Sequence, residues 1–309
     1  MAKRMGCLKG GCLGCLGLLV LFFIFVGANA LLVMNRSGDE RIQDVVLDSS
    51  TSLAPIPPAR PEAADHPESR PAAGRGWLIL ELGQGEFEVH PGEPGSGVVI
   101  RSSYDASIYE LQEFHQTWPD SAWVYQVGFH RTITGMQAVL REIMGGNHGA
   151  KLHVFIPPDL PIELNILVRE GGLVAKLGGL WLTGLDLRYD KGGISLSVDE
   201  PLREPVPSIS IHGRMGGGDV QGLGNASPSV LDVSCRMGGM SLDLGGAWQG
   251  DCDARLSLTM GGLDVIVPDN LGYESAGTSE GGFTRTDGEV PLPMLRVQQQ
   301  VKMGEIKIR

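Results

Sequence analysis

From Trp77 onward the chain alternates apolar and polar residues in short runs, and glycine breaks each run. Leu78, Leu80 and Leu82 share one parity; after Gly83 and Gly85, Phe87 and Val89 resume on the other. Strict alternation is strand periodicity, because successive side chains leave a strand on opposite faces. A parity switch at glycine marks a corner or bulge, where one extra residue exchanges the faces. The device recurs at Glu170-Gly171-Gly172, Lys191-Gly192-Gly193, Met215-Gly216-Gly217, Met237-Gly238-Gly239 and Met260-Gly261-Gly262, at spacings of 21, 24, 22 and 23 residues. Apolar runs flank each copy, for example Leu231, Val233 and Cys235 before, and Met240, Leu242 and Leu244 after. A shortened copy follows at Val301, Met303-Gly304, Ile306 and Ile308, and Leu177-Gly178-Gly179-Leu180 reads as an additional corner.

Two short strands per unit of roughly 22 residues predict a repeat architecture. No unit can bury its apolar face alone, so neighbours must stack. The fold class is all-β over 77–309: a β-solenoid or stacked β-sandwich of two-strand coils. Glycine at the corners supplies positive φ or room for close stacking. A phosphate-binding loop would need a helix after the glycines, and strands follow here. The pattern lapses between Arg101 and Lys151. There Thr134-Gly135-Met136-Gln137 resembles a capping box, with Met136, Val139, Leu140 and Ile143 on one helical face. One short helix is expected there, beside a strand near 123–129.

Ahead of the repeats, residues 13–34 are almost wholly apolar, long enough to cross a bilayer. Lys3, Arg4 and Lys9 precede this run, whereas Arg36 and Arg41 are accompanied by Asp39, Glu40 and Asp44. The positive-inside bias predicts a cytoplasmic N-terminus (1–12), a single transmembrane helix (13–34) and an external main domain. The rival reading is a signal peptide cleaved after Ala28-Asn29-Ala30; against it, the apolar run continues through Met34. Cys7, Cys12 and Cys15 at the start of the run read as small residues, with acylation as the sharper alternative. Residues 35–76, with Pro55, Pro57, Pro58, Pro61, Pro67 and Pro71, read as a disordered spacer between membrane and domain.

These features resemble a known family. The stretch KLHVFIPPDLPIELNILVREGGLVAKLGGLWLTGLDLRYDKGGISLSVDEP (151–201) is similar to bacterial toast-rack, adhesin-like β-solenoid domains, including the C-terminal domain of LiaF-like cell-envelope stress proteins. LGQGEFEV at 82–89 resembles the family's opening strand pair; GLGNASP at 222–228 and MGGLDVIVP at 260–268 resemble its later coils. The resemblance implies a solenoid in the bacterial envelope and carries no catalytic residues. LiaF-like proteins have several membrane spans, and only one is expected here.

Charge and chemistry narrow the function further. A net charge of −11 argues against nucleic acid and against docking the domain on anionic lipid. The low aromatic share, 6%, points to an aliphatic core. No His-Glu-x-x-His run, no Gly-x-Ser-x-Gly elbow and no calcium loop occurs. His66 falls in the spacer, and His153 and His212 phase outward on strands. Asp186, Asp219, Asp243, Asp251, Asp253 and Asp264 punctuate the strands as an outer polar face. Cys235 phases inward and Cys252 toward a connection, so they are either two independent buried thiols or a disulfide that an external location would allow. Trp181 and Trp248 are the only aromatic pair with the makings of a sugar platform.

No catalytic, cofactor or metal residues are assigned, and no enzyme activity is expected. The expected function is a membrane-anchored envelope protein whose solenoid binds a protein or cell-wall component. Self-assembly is the alternative, with Gly304 to Arg309 as an end strand that Lys307 and Arg309 protect. A polysaccharide-acting β-helix enzyme is the remaining reading.

Overall fold

The computed structural model describes residues 71–132, 150–275 and 292–309 with their side chains, and residues 40–46 and Ala276 as backbone. The expected transmembrane helix at 13–34, the helix around 134–143 and most of the spacer lie outside these residues. Among the described residues no helix is long and apolar enough to cross a membrane.

Thirteen strands form one connected sheet: β1 (Glu40–Val46), β2 (Gly76–Pro91), β3 (Val99–Asp105), β4 (Tyr109–Thr117), β5 (Trp123–Arg131), β6 (Lys151–Ile156), β7 (Ile162–Lys176), β8 (Leu182–Ser197), β9 (Ser208–Gln221), β10 (Val230–Asp243), β11 (Cys252–Ile266), β12 (Gly272–Ala276) and β13 (Met294–Ile308). The only helical element among the described residues is a single 3₁₀ turn at Leu223–Asn225. The long strands β2, β7, β8, β9, β10, β11 and β13 stack in parallel, in that order. Each is one coil with two arms and a glycine corner, so the two-strand repeat read from the sequence is the unit of the fold.

Register explains the parity switch. Pairing runs Val168↔Tyr189 and then Glu170↔Lys191, passing over Arg169 and Asp190. Every later coil skips the matching residue, as at Arg236 and Thr259. The skipped residue exchanges the two faces, so both arms aim their apolar side chains inward. Leu80, Ile166, Leu187, Ile211, Val233 and Leu256 form one such inner column, all 2% exposed or less. Burying each is worth about 1.5–3 kcal/mol. The corner glycines also stack on one another. At Gly261 φ is +130°, and a Cβ there would stand 1.7 Å from the carbonyl oxygen of Gly238 one coil away. Side chains compensate where a coil is thin. Gly213 leaves a gap that the Tyr189 ring fills, and Gly218 lies between Ile194 and Met240.

The N-terminal end departs from the repeat in three ways. First, the coil order is not the chain order. The first arm of β2 pairs with β5 and its second arm with β6, both in parallel, while β7 pairs along its other edge. β5 and β6 together form a split coil outside β2. Second, antiparallel strands close this end: β4 on β5, β3 on β6, and β1 on β3. The strand near 123–129 was expected; β3 and β4 were not, and β1 falls inside the segment read as spacer. Third, the aromatic residues gather here. Phe129 is stacked with Tyr109 and edge-on to Tyr104, each at 5.3 Å, and edge-on to Phe87 at 6.1 Å. The rest of the core is aliphatic apart from Tyr189 and Trp248. Leu177 to Leu180 is a turn in the connection between β7 and β8 and not a strand corner; Leu180 N–H donates to the Leu177 carbonyl at 3.2 Å.

Candidate functional site

The outer side of the glycine corner carries four rows that run along the stack. The residue before each corner glycine points out, giving the column Gln84, Glu170, Lys191, Met215, Met237, Met260, Met303. Its last four members are methionines, 46%, 48%, 42% and 56% exposed. At about 4.8 Å between paired strands they make a continuous apolar ridge roughly 14 Å long. On one flank lie the skipped residues Arg169, Asp190, Arg214, Arg236, Thr259 and Lys302, a row rich in cations on a chain of net charge −11. Arg214 reaches Asp190 of the preceding coil at 3.4 Å. On the other flank, past the corner glycines, runs the second glycine of each pair.

The two glycine rows differ in what the fold requires of them. A Cβ on any corner glycine from Gly171 to Gly304 would collide with backbone one coil away, at 1.7–2.1 Å. A Cβ on Gly172, Gly193 or Gly262 would meet nothing within 4 Å, and on Gly217 and Gly239 nothing closer than 3.6 Å. Backbone packing dictates the first row and leaves the second free. The result is a strip bare of side chains beside a methionine ridge, where another chain can approach the backbone closely.

A second feature lies on the outer face of the β2–β6 pair. Glu88 and His90 are two residues apart on β2, and His153 is the register partner of Glu88 on β6. One carboxylate oxygen, Oε2 of Glu88, takes both His90 Nε2 at 2.8 Å and His153 Nδ1 at 3.2 Å. The hydrogen bond from His90 is the largest cause holding the Glu88 carboxyl below its ordinary range. The His90 ring stacks on Phe155 at 5.8 Å, and Arg101 lies over Phe155 at 5.1 Å.

The third is a cavity of about 280 Å³ at the closed N-terminal end, lined by residues including His115, Thr117, Trp123, Tyr125 and Asp159. Burial raises the Glu113 carboxyl and lowers the His115 imidazole. Burial, then the Glu113 charge, raises the Tyr125 phenol. Glu113 Oε1 and the Tyr125 hydroxyl are buried without a hydrogen-bond partner. The cavity combines the apolar Val98, Trp123 and Leu160 with the polar Ser96, His115, Thr117 and Asp159, the lining of a small-ligand pocket.

No family model matches the sequence, and no curated protein does. Two solved structures are similar to it. A candidate cell adhesion protein from Clostridium sporogenes is 10% identical at a TM-score of 0.38, covering 87% of this chain and 99% of that one. A candidate adhesin from Bacteroides fragilis is 8% identical at a TM-score of 0.36, covering 88% and 98%. Similarity at this level transfers no residue roles, and the fold described above rests on the strand register.

The residues singled out in the sequence fall as follows. His212 points outward, its Nδ1 2.7 Å from the Ser234 hydroxyl; His66 lies outside the described residues. Cys235 and Cys252 are both buried and free, so the disulfide alternative does not hold. Burial pushes the Cys252 thiol up to about 12. Trp181 and Trp248 sit on different connections. Arg203 covers Trp181 at 4.5 Å, and buried Trp248 donates to the Leu244 carbonyl at 2.8 Å, so they form no shared platform. Several of the aspartates are engaged locally: Asp186 with Arg188, Asp219 with Gln221, Asp243 with Gly245 N–H, Asp251 and Asp253 with Arg296, and Asp264 with Arg309. The methionine ridge was visible in the sequence as Met-Gly-Gly repeats, but the reading used only their glycines. His153 was read from the sequence as an outward strand histidine; Glu88 and His90 were not singled out, and it is the β2–β6 pairing that brings the three together.

Proposed function

We propose that this chain is a membrane-anchored, non-enzymatic protein of the bacterial cell envelope, whose solenoid binds a protein partner along the glycine–methionine corner. The observation that carries this reading is the second glycine row, which the fold does not need, beside four exposed methionines in register. Methionine is unbranched and polarisable, and it adapts to a partner's apolar side chains. The flanking arginines and lysine favour a partner segment that is acidic as well as apolar. A glycan would call for aromatic platforms with clustered carboxylates, and neither adjoins the ridge. The apolar run at 13–34 supplies the anchor, and because β1 pairs with β3 only residues 35–39 separate that run from the sheet.

Photo-crosslinking in cells tests the site. A benzophenone side chain at Met237 or Gly262 yields an adduct with one discrete protein, and Met215→Glu in the same chain abolishes it. The same probe at Asp232, on the outer face of the first arm, yields none. Equal adducts at all three positions, or none at Met237 and Gly262, defeat the proposal. Topology is tested separately by a reporter fused after Arg309: activity of a periplasm-active enzyme supports an external domain, and activity of a cytoplasm-active one overturns it.

A second reading, self-association, is favoured by β13. β12 pairs only with its first five residues, Met294 to Gln298. Along Met303 to Ile308 the strand pairs only with β11, so among the described residues its other edge is open. Val301 and Met303 are exposed there, and Ile306 and Ile308 are only half-buried. An open edge with apolar side chains is a template for another strand. Light scattering of the full chain in detergent checks it: a molecular mass that grows with concentration supports pairing through β13, and a monomer throughout eliminates it.

A further inference from the structure

We infer that Glu88, His90 and His153 form a binding site for a divalent transition-metal cation of the zinc class. Three donor atoms, two imidazole nitrogens and one carboxylate oxygen, all lie within 4.8 Å of one another. Glu88 Oε2 stands 2.8 Å from His90 Nε2 and 3.2 Å from His153 Nδ1. A cation bound at about 2.0–2.2 Å to each of three such atoms holds them roughly 3.3 Å apart in tetrahedral geometry. The distances are thus near those of a coordination triangle, and slight opening of one side chain admits the ion. Neutral imidazole with carboxylate is a donor set for zinc and its neighbours and not for calcium or magnesium, which take oxygen.

The placement is built by the fold rather than by loose surface groups. Glu88 and His90 project from the same face of β2 because they are two residues apart, and parallel pairing sets His153 of β6 beside Glu88. The stack on Phe155 holds the His90 ring in place. Two cations adjoin the cluster: Lys151 pairs with Glu86 at 3.0 Å, and Arg101, the register partner of His153, lies over Phe155. The side chains of Glu88, His90 and His153 are 42%, 21% and 35% exposed, which leaves a coordination position open to water or to a donor from a bound partner. The ion would clamp β2 to β6, where strands distant in sequence meet.

The test uses the full chain in detergent with metal alone as the probe. Zn²⁺ titration by calorimetry gives stoichiometric binding that weakens as pH falls through the histidine range, because the ligating nitrogens must be unprotonated. Co²⁺ substitution gives the intense visible absorption of a four-coordinate site. Glu88→Gln and His153→Ala each lower the affinity by at least tenfold and remove the Zn²⁺-dependent rise in unfolding temperature. His212→Ala, at an outward strand histidine away from the cluster, leaves both unchanged. The metal-free unfolding temperature of each variant is measured alongside, so that loss of folding is separated from loss of binding. Binding that persists unchanged in His153→Ala and Glu88→Gln overturns the proposal, as does weak binding that all three variants share.

Discussion

Gly261 and Gly262 are adjacent, alike in sequence and opposite in consequence. Alanine at 261 would have to hold φ near +130° and drive a methyl group into the Gly238 carbonyl, whereas alanine at 262 meets open space. Gly261→Ala is expected to destabilise by about 3 kcal/mol or more. Gly262→Ala should change stability by no more than about 0.5 kcal/mol, or raise it slightly by stiffening the unfolded chain. Urea midpoints of the two variants decide this, and equal losses would show that the second row is also structural. Tyr189 is the other informative residue. Its ring fills the space over Gly213, but its hydroxyl is buried without a partner and its pKa rises to about 12, chiefly through burial. Tyr189→Phe keeps the ring and removes the unpaired group, so a gain of about 1 kcal/mol is expected. A loss would mean that the hydroxyl has a partner, such as water.

At the scale of elements, the β4–β5 hairpin places a carboxyl where burial opposes its charge. The folded pKa of Glu113 lies above the unfolded one, so the folded state prefers the protonated form. Its contribution is most favourable below the ordinary carboxylate range and declines as pH rises through the folded value. Glu113→Gln should therefore raise the unfolding midpoint at neutral pH, with the gain shrinking as pH falls through that range; a gain independent of pH would point to packing instead. Elements were unequally legible in the sequence. β7 to β11 could be read because alternation and a glycine switch are local signals, and each strand carries its own copy. β3 and β4 could not, since Leu111 and Phe114 break alternation on β4 and its partners are set by contact with β5. The same limit hid the Glu88–His90–His153 cluster. The parity of each residue is local information, but the pairing of β2 with β6 is not. The ridge was hidden differently: glycine was sufficient to explain the repeats, so the methionines beside it drew no separate account.

For the whole molecule, the coil is an interchangeable unit only within β7 to β11, where chain order and stacking order agree. Deleting residues 230–252 joins Ser229 to Asp253, the register partner of Val230, and lets β9 stack on β11. The shortened protein should fold with an all-β far-ultraviolet spectrum and lower stability, because nearest-neighbour interfaces sum. An unfolded product would show that coils support one another beyond their immediate neighbours. No equivalent deletion exists for β2. It is the first long strand among the described residues, yet both of its neighbours in the stack are made later: β5 and β6 on one edge, β7 on the other. A chain synthesised or threaded across a membrane from its N-terminus therefore presents β2 with two bare edges until β5 emerges about forty residues later, and with one edge bare until β7 is complete, more than eighty residues on. Its aliphatic face, Leu78 to Val89, is for that interval the part of the nascent chain most exposed to mispairing. The later coils can add one at a time to whatever stands before them, so the slow, error-prone event in this protein's birth belongs to its beginning.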